Sequence, residues 1–262
     1  MNKILKKIII VAILLSIIFT SYVLVAQINE IKNAAIIRRS NGVYRYESMT
    51  LPDIRGSENF QMLVHPDRSR TLIMWNDLAV KNTQFTVVLR VSDKFRPIEA
   101  FVSYWNQAQF KGSAHLSVIN SKLLASSLGP LGVFNRDTDV PENFSIGAHP
   151  VSGDGWHTVQ YEHSNNTTDL VSNLVDTRQK ISLYSLEASS DLKKPVLGNM
   201  LDLSIEYLGP ESIVVPAGKF ETQHYKIGKV NDIWVMGQDR IVVKSEIPMR
   251  SLRYVLTEYS DR

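Results

Sequence analysis

The stretch Gln84-Phe85-Thr86-Val87-Val88-Leu89-Arg90-Val91 decides the fold class of this chain. Phe85, Val87, Leu89 and Val91 recur at every second position, with Gln84, Thr86, Val88 and Arg90 between them. Side chains of a β-strand alternate between two faces, so this spacing predicts a strand with one buried and one wetter side. Outward from it, similar short runs rich in Val, Ile, Thr, Tyr and Phe occupy residues 43–50, 59–64, 70–75, 98–105, 112–118 and 122–127. His65-Pro66-Asp67, Asp93-Lys94-Phe95-Arg96-Pro97 and Asn120-Ser121 punctuate these runs. Pro presets a turn φ and Asn tolerates a left-handed one, so each of the three is expected to be a turn. Within 99–106, Phe101 and Trp105 fall with Ser103, opposite Ala100, Val102 and Tyr104. Neither side of that strand is plainly polar, so it is expected to be covered on both faces or to line a cavity.

Beyond Leu128 the regularity drops. A Gly- and Pro-bearing stretch from Gly129 to Asn166 is too long for a hairpin loop and implies excursions above the sheet. A strand is expected within 180–188, and a helix between Thr167 and Tyr184 remains an alternative. The texture then returns to strands at 201–208, 212–215, 220–229, 232–235, 240–247 and 253–259. No repeat of fixed length and no Ser- or Pro-rich linker divides the chain. The expectation is therefore a mainly β protein: one long curved antiparallel sheet, forming an incomplete or closed barrel, in a single domain over 42–262.

Composition narrows the function classes. With 262 residues and 44% apolar content the chain can bury one sizeable core. Lys and Arg number 29 against 26 Asp and Glu, and Lys3, Lys6 and Lys7 account for the excess, so no basic footprint for nucleic acid remains. Cysteine is absent, which excludes disulfides, thiolate metal sites, cysteine nucleophiles and a cysteine-linked lipid anchor.

The first 26 residues have three parts: a basic stretch ending at Lys6-Lys7, an apolar run over 8–26, and small Ala26 before Gln27. This is the plan of a secretory signal, and the run is also close to the roughly 20 residues that span a bilayer as a helix. Either reading, cleaved peptide or anchor in the inner membrane, places the lysines inside and residues 27–262 on the periplasmic side. Residues 27–41 read as a juxtamembrane helix or linker, with Ile28, Ile31, Ala35 and Ile36 on one face.

The segment Ile213-Val214-Val215-Pro216-Ala217-Gly218-Lys219-Phe220-Glu221-Thr222 reads as a hairpin. Pro216 ends one strand, Gly218 takes the positive φ of a tight turn and Phe220 returns to the core. It resembles the V-x-V-P-A-G-x-F-x-[TA] hairpin of exported proteins of the DUF3108 and LolA/LolB-like group, a likeness that extends weakly over Phe85 to Leu128. The resemblance implies an antiparallel sheet curled into an incomplete barrel, whose concave side holds lipid or another apolar ligand in some members. It implies no catalytic residues.

Three constellations are candidates for chemistry. His149, Asp154 and His157, in His149-Pro150-Val151-Ser152-Gly153-Asp154-Gly155-Trp156-His157, carry imidazole and carboxylate groups on a Gly-rich turn, with Tyr161, Glu162 and His163 following. Such groups ligate zinc or serve as acid and base, but the spacing fixes no two of them on one helix face. The alternative is structural: Asp154 and Gly155 make a turn, Trp156 caps the core and the histidines bond to backbone. Asp232 and Asp239 flank an apolar strand ending at Gly237, which reads either as a hairpin whose Asp239 accepts turn bonds or as a carboxylate pair. Gly-x-Ser-x-Gly is missing, and Gly129-Pro130-Leu131-Gly132 has Pro where a phosphate loop needs a backbone donor. Finally, Trp75, Phe101, Trp105, Trp156 and Trp234 either pack the core or line an apolar hollow.

The leading expectation is a non-enzymatic envelope protein binding a lipid or other apolar ligand in the hollow of a half-barrel. Its site residues are Trp75, Phe101, Trp105, His149, Asp154, Trp156, His157 and Trp234, with no catalytic or metal residue assigned and no cofactor. A periplasmic hydrolase or metal-dependent enzyme using residues 149–163, and a structural or partner-binding anchored protein, are the alternatives.

Overall fold

The computed structural model describes residues 36–78, 82–148, 150–161, 178–186 and 195–262. In chain order the strands are β1 (Arg38–Ser48), β2 (Ile54–Val64), β3 (Arg70–Leu78), β4 (Thr83–Val91), β5 (Pro97–Asn106), β6 (Gln109–Ile119), β7 (Lys122–Gly129) and β8 (Gly132–Asp139). Then come β9 (Ser145–Gly147), a 3-10 helix (Val151–Gln160), β10 (Arg178–Ser185), β11 (Asn199–Val215), β12 (Gly218–Ile227), β13 (Asn231–Met236), β14 (Ile241–Ile247) and β15 (Leu252–Asp261). All belong to one sheet, ordered β8-β7-β6-β5-β4-β3-β2-β1-β15-β14-β13-β12-β11-β10-β9. The terminal strands β8 and β9 do not pair with each other, so the barrel is incomplete.

The sheet nonetheless curls until its ends meet. Arg136 of β8 donates from Nη1 to the Gly198 carbonyl at 2.7 Å, beside the start of β11. Val196 lies so close to Gly112 of β6 that a Cβ there would sit 2.7 Å from Val196 Cγ2. Neighbouring strands are antiparallel except β9 and β10, which run parallel. This departs from the all-antiparallel expectation, because the long connection between them is a crossover rather than a hairpin.

The decisive stretch behaves as its spacing requires: Phe85, Val87, Leu89 and Val91 are all buried, Phe85 stacked on Tyr104 at 4.5 Å and the other three in one core with Tyr44, Phe60, Met62, Leu72, Met74, Leu116, Ile205, Tyr225 and Ile233. Burying each such side chain contributes about 1.5–3 kcal/mol. β5 departs from expectation, since Pro97, Ala100, Val102 and Tyr104 are buried while Phe101 and Trp105 face solvent.

Other departures have local causes. Residues 38–41, expected in a linker, are strand: Ser40 pairs with Met62 on one side and Asp261 on the other, and is buried. The two strands expected over 201–215 are one, because Gly209 at φ +116 absorbs a bulge between Tyr207 and Gly209. Among the described residues β10 pairs β11 only as far as Glu206, so Pro210 lies beyond that ladder. The strand expected within 180–188 forms as Arg178–Ser185 in place of the alternative helix between Thr167 and Tyr184, the remainder of which lies outside the described residues. The apolar run at 8–26 also lies outside them, and no described helix is long and apolar enough to cross a membrane.

The expected turns form, with left-handed φ at Arg68, Phe95, Asn120 and Ser121. A further two-residue turn joins β5 to β6, where Gln107 and Ala108 have φ of 51° and 57°. Neither is a usual left-handed residue, so Ala108→Gly is expected to stabilise the fold by roughly 0.5–1 kcal/mol through relief of backbone strain. A higher urea midpoint with unchanged slope would show it; a lower midpoint would contradict it.

Candidate functional site

The 3-10 helix fills the concave side of the sheet. Glu58, on the inward face of β2, is fully buried and accepts hydrogen bonds from the Val151 N–H at 2.8 Å and the Ser152 N–H at 2.9 Å. The Tyr46 hydroxyl donates to the same carboxylate. Burial pushes the Glu58 pKa up to about 7, against the lowering effect of these bonds. The Ser152 hydroxyl donates to Met74 Sδ at 3.1 Å, anchoring the helix to β3.

On the other side Gly155 approaches the Arg240 carbonyl so closely that a Cβ would lie 1.9 Å from that oxygen. Trp156 is 2% exposed, donates its indole N–H to the Asp239 carbonyl at 3.0 Å and meets Phe95 edge-on at 5.9 Å. It caps the core from inside, and the hollow expected to hold a ligand is occupied by this chain's own residues. His157 is also buried, with Nε2 3.4 Å from Asp154 Oδ1. His149, Glu162 and His163 lie outside the described residues. Among the described residues no group of three or more His, Cys, Asp or Glu is placed to hold a metal ion.

The two aspartates of the second constellation part company. Asp239 is buried and bound by Arg70 Nε at 2.8 Å and by Arg38, rather than by turn amides. Asp232 instead faces His224 Nε2 at 3.2 Å and Lys226 at 3.8 Å. His224 also meets Glu211 at 3.3 Å through Nδ1 and stacks on Trp234 at 4.1 Å. Trp234 is buried between that ring and the Lys244 ammonium 3.8 Å from its centroid, on the face opposite Ile233 and away from the plug. This charged cluster has no local motif, since Glu211, His224, Asp232 and Lys244 come from four strands. It covers the outer face of β11 to β14.

Trp75, Phe101 and Trp105 face outward too, 49%, 50% and 43% exposed. Far from sharing a hollow with Trp156, Trp75 and Phe101 border two depressions on the convex face, while Trp105 packs on Phe110 at 5.4 Å. The first, about 530 Å³, is lined by Asn41, Val43, Asn59, Gln61, Ile73 and Trp75, with Glu258 and Ser260 at one side. The second, about 390 Å³, is lined by Thr86, Val88, Phe101, Ser103, Ser113, His115, Ser126 and Leu128. Trp75 pairs with Thr86 and Ile73 with Val88 across β3 and β4, so the depressions adjoin as one trough. Phe101 and His115 stack at 4.3 Å in its floor. The trough holds no Lys or Arg, in contrast to the ion-paired face of β11 to β14.

These features define an open, curled β-sheet protein with a self-filled interior and, on its outer face, a trough whose lining holds neither Lys nor Arg. No family model and no curated protein matches the chain. Among solved structures it is similar to a β-barrel-like protein of domain of unknown function DUF1849 from Brucella abortus, at 6% identity and a TM-score of 0.46. That similarity covers 87% of this chain and 99% of the other. The Pro-Ala-Gly hairpin forms as expected, with Gly218 at φ +142 and Phe220 edge-on to Tyr259 at 6.1 Å. It is a local likeness within a barrel-like architecture.

Proposed function

We propose that this is a non-enzymatic binding protein of the cell envelope, exported through residues 8–26, which takes an extended amphipathic ligand in the outer trough. The carrying observation is the pair of adjoining depressions bordered by half-exposed Trp75 and Phe101. Contiguous exposed apolar surface of this kind, rimmed by polar groups, marks interaction sites. The enzymatic alternative loses support because His157 is enclosed and Ser152 is committed to Met74. Partner docking on the open edge is disfavoured, since β8 carries Arg136, Asp137 and Asp139, and Arg136 is tied across the seam.

Native mass spectrometry of gently extracted full-length protein tests the proposal. The wild type is expected to carry a small-molecule adduct that the double variant Trp75→Ala/Phe101→Ala loses while keeping its far-UV circular dichroism. An adduct retained by the double variant, or a reporter fused at Arg262 that acts in the cytoplasm, would overturn it.

A further inference from the structure

We infer that the trough's ligand is a neutral glycan, with one sugar ring packed on Trp75 and its hydroxyls bound by Asn41, Asn59 and Gln61. This rests on the outer-face reading above and specifies its ligand class. Asn59 pairs directly with Trp75, and Asn41 with Gln61, which pairs with Ile73, so three amides stand in a cluster beside the indole. A single bond ties the cluster, from Gln61 Nε2 to Asn41 Oδ1 at 2.9 Å. Gln61 Oε1, the Asn41 amide nitrogen and both polar atoms of the Asn59 side chain have no hydrogen-bond partner among the described residues.

Each free amide offers a donor beside an acceptor, and each sugar hydroxyl is itself donor and acceptor, so vicinal hydroxyls satisfy both. The C–H face of a pyranose supplies the apolar surface that a half-exposed indole lacks. An acyl chain laid over the same residues would desolvate the amides and leave them unpaired. An acidic ligand would meet Glu258 with no Lys or Arg in the lining to offset it. Trp75 on β3 and Phe101 on β5 are two strands and one ladder row apart, about 12 Å from strand spacing and rise. A short oligosaccharide therefore reaches both rings, with Thr86, Ser103 and Ser113 between and beyond them.

The test is isothermal titration calorimetry of the full chain in a detergent without a sugar headgroup. It is titrated with chitotetraose, maltotetraose and cellotetraose, and separately with dodecanoate. At least one oligosaccharide is expected to give saturable binding that is abolished in Trp75→Ala, kept within a few-fold in Trp75→Phe and weakened at least tenfold in Asn59→Ala. Trp75-dependent binding of dodecanoate with none of the oligosaccharides overturns the glycan and leaves the outer-face reading standing. No binding of any probe, together with an adduct-free wild type in native mass spectrometry, removes both.

Discussion

Glu58→Ala is expected to cost about 3–5 kcal/mol of unfolding free energy at pH 5. The Val151 and Ser152 N–H groups and the Tyr46 hydroxyl all converge on this carboxyl from within the core. Removing it strands the two buried amide donors and leaves the Tyr46 hydroxyl without its partner, at about 1–3 kcal/mol each, partly offset by local rearrangement. It also severs the tie between β2 and the start of the 3-10 helix, so Trp156 emission should shift to the red as the plug loosens. Glu58→Gln should cost less, about 1–3 kcal/mol, since its carbonyl accepts from one amide while its NH₂ opposes the other donors.

The same residue dictates a pH dependence whose sign is opposite to that of a salt-bridged carboxylate. Desolvation raises the folded pKa to about 7. The unfolded carboxyl ionises near its ordinary value of about 4.3. Between these values the folded form binds the extra proton, so stability falls as pH rises. The contribution is fully present below about pH 4 and is lost by the time pH passes 7, a change on the order of 3 kcal/mol for this group. The Tyr46 hydroxyl oxygen, in contact with that carboxyl, can accept from its protonated form. Neither variant carries this ionisation, so the deficit of Glu58→Gln should close or invert between pH 5 and pH 8. Urea midpoints for wild type and Glu58→Gln that run parallel across that interval would refute the assignment.

Much of the sheet was legible because its strands obey period two. Phe85, Val87, Leu89 and Val91 announce their common face whatever packs on it. β8 was not legible: as an edge strand its side chains are almost all exposed, so Gly132–Asp139 has no alternation to betray it. The plug was also hidden, because Val151, Trp156 and His157 are buried together without any period. For β5, spacing placed Phe101 and Trp105 together, but period two does not say which side is inward. Ala100, Val102 and Tyr104 take the inward face, so Phe101 and Trp105 lie outside and the expected hollow site becomes a surface one. Glu58 did leave a signal: it falls in phase with Phe60 and Met62, a charged residue on the inward face of an alternating run.

Asp239→Ala should be as damaging as the loss of Glu58, about 3–5 kcal/mol, because it leaves Arg70 buried without its counter-ion. The Arg70 guanidinium has few other ways to be satisfied. Nη1 donates to the Arg68 and Asp93 carbonyls at 3.0 and 3.2 Å, and the group lies 4.1 Å from the Phe95 ring centroid. Phe95 in turn braces Trp156, whose indole bonds the Asp239 carbonyl, so one residue links the β13–β14 turn to β3, the β4–β5 turn and the plug. The cost of the single change is chiefly that of an orphaned charge rather than of a lost attraction, and that distinction is measurable. Replacing both partners, as Arg70→Met with Asp239→Leu, should recover most of the loss, since apolar groups of similar volume avoid the desolvation of both ions. The interaction energy from the double-mutant cycle should then exceed about 2 kcal/mol. Strictly additive losses would mean that Asp239 acts through its turn backbone and not through Arg70.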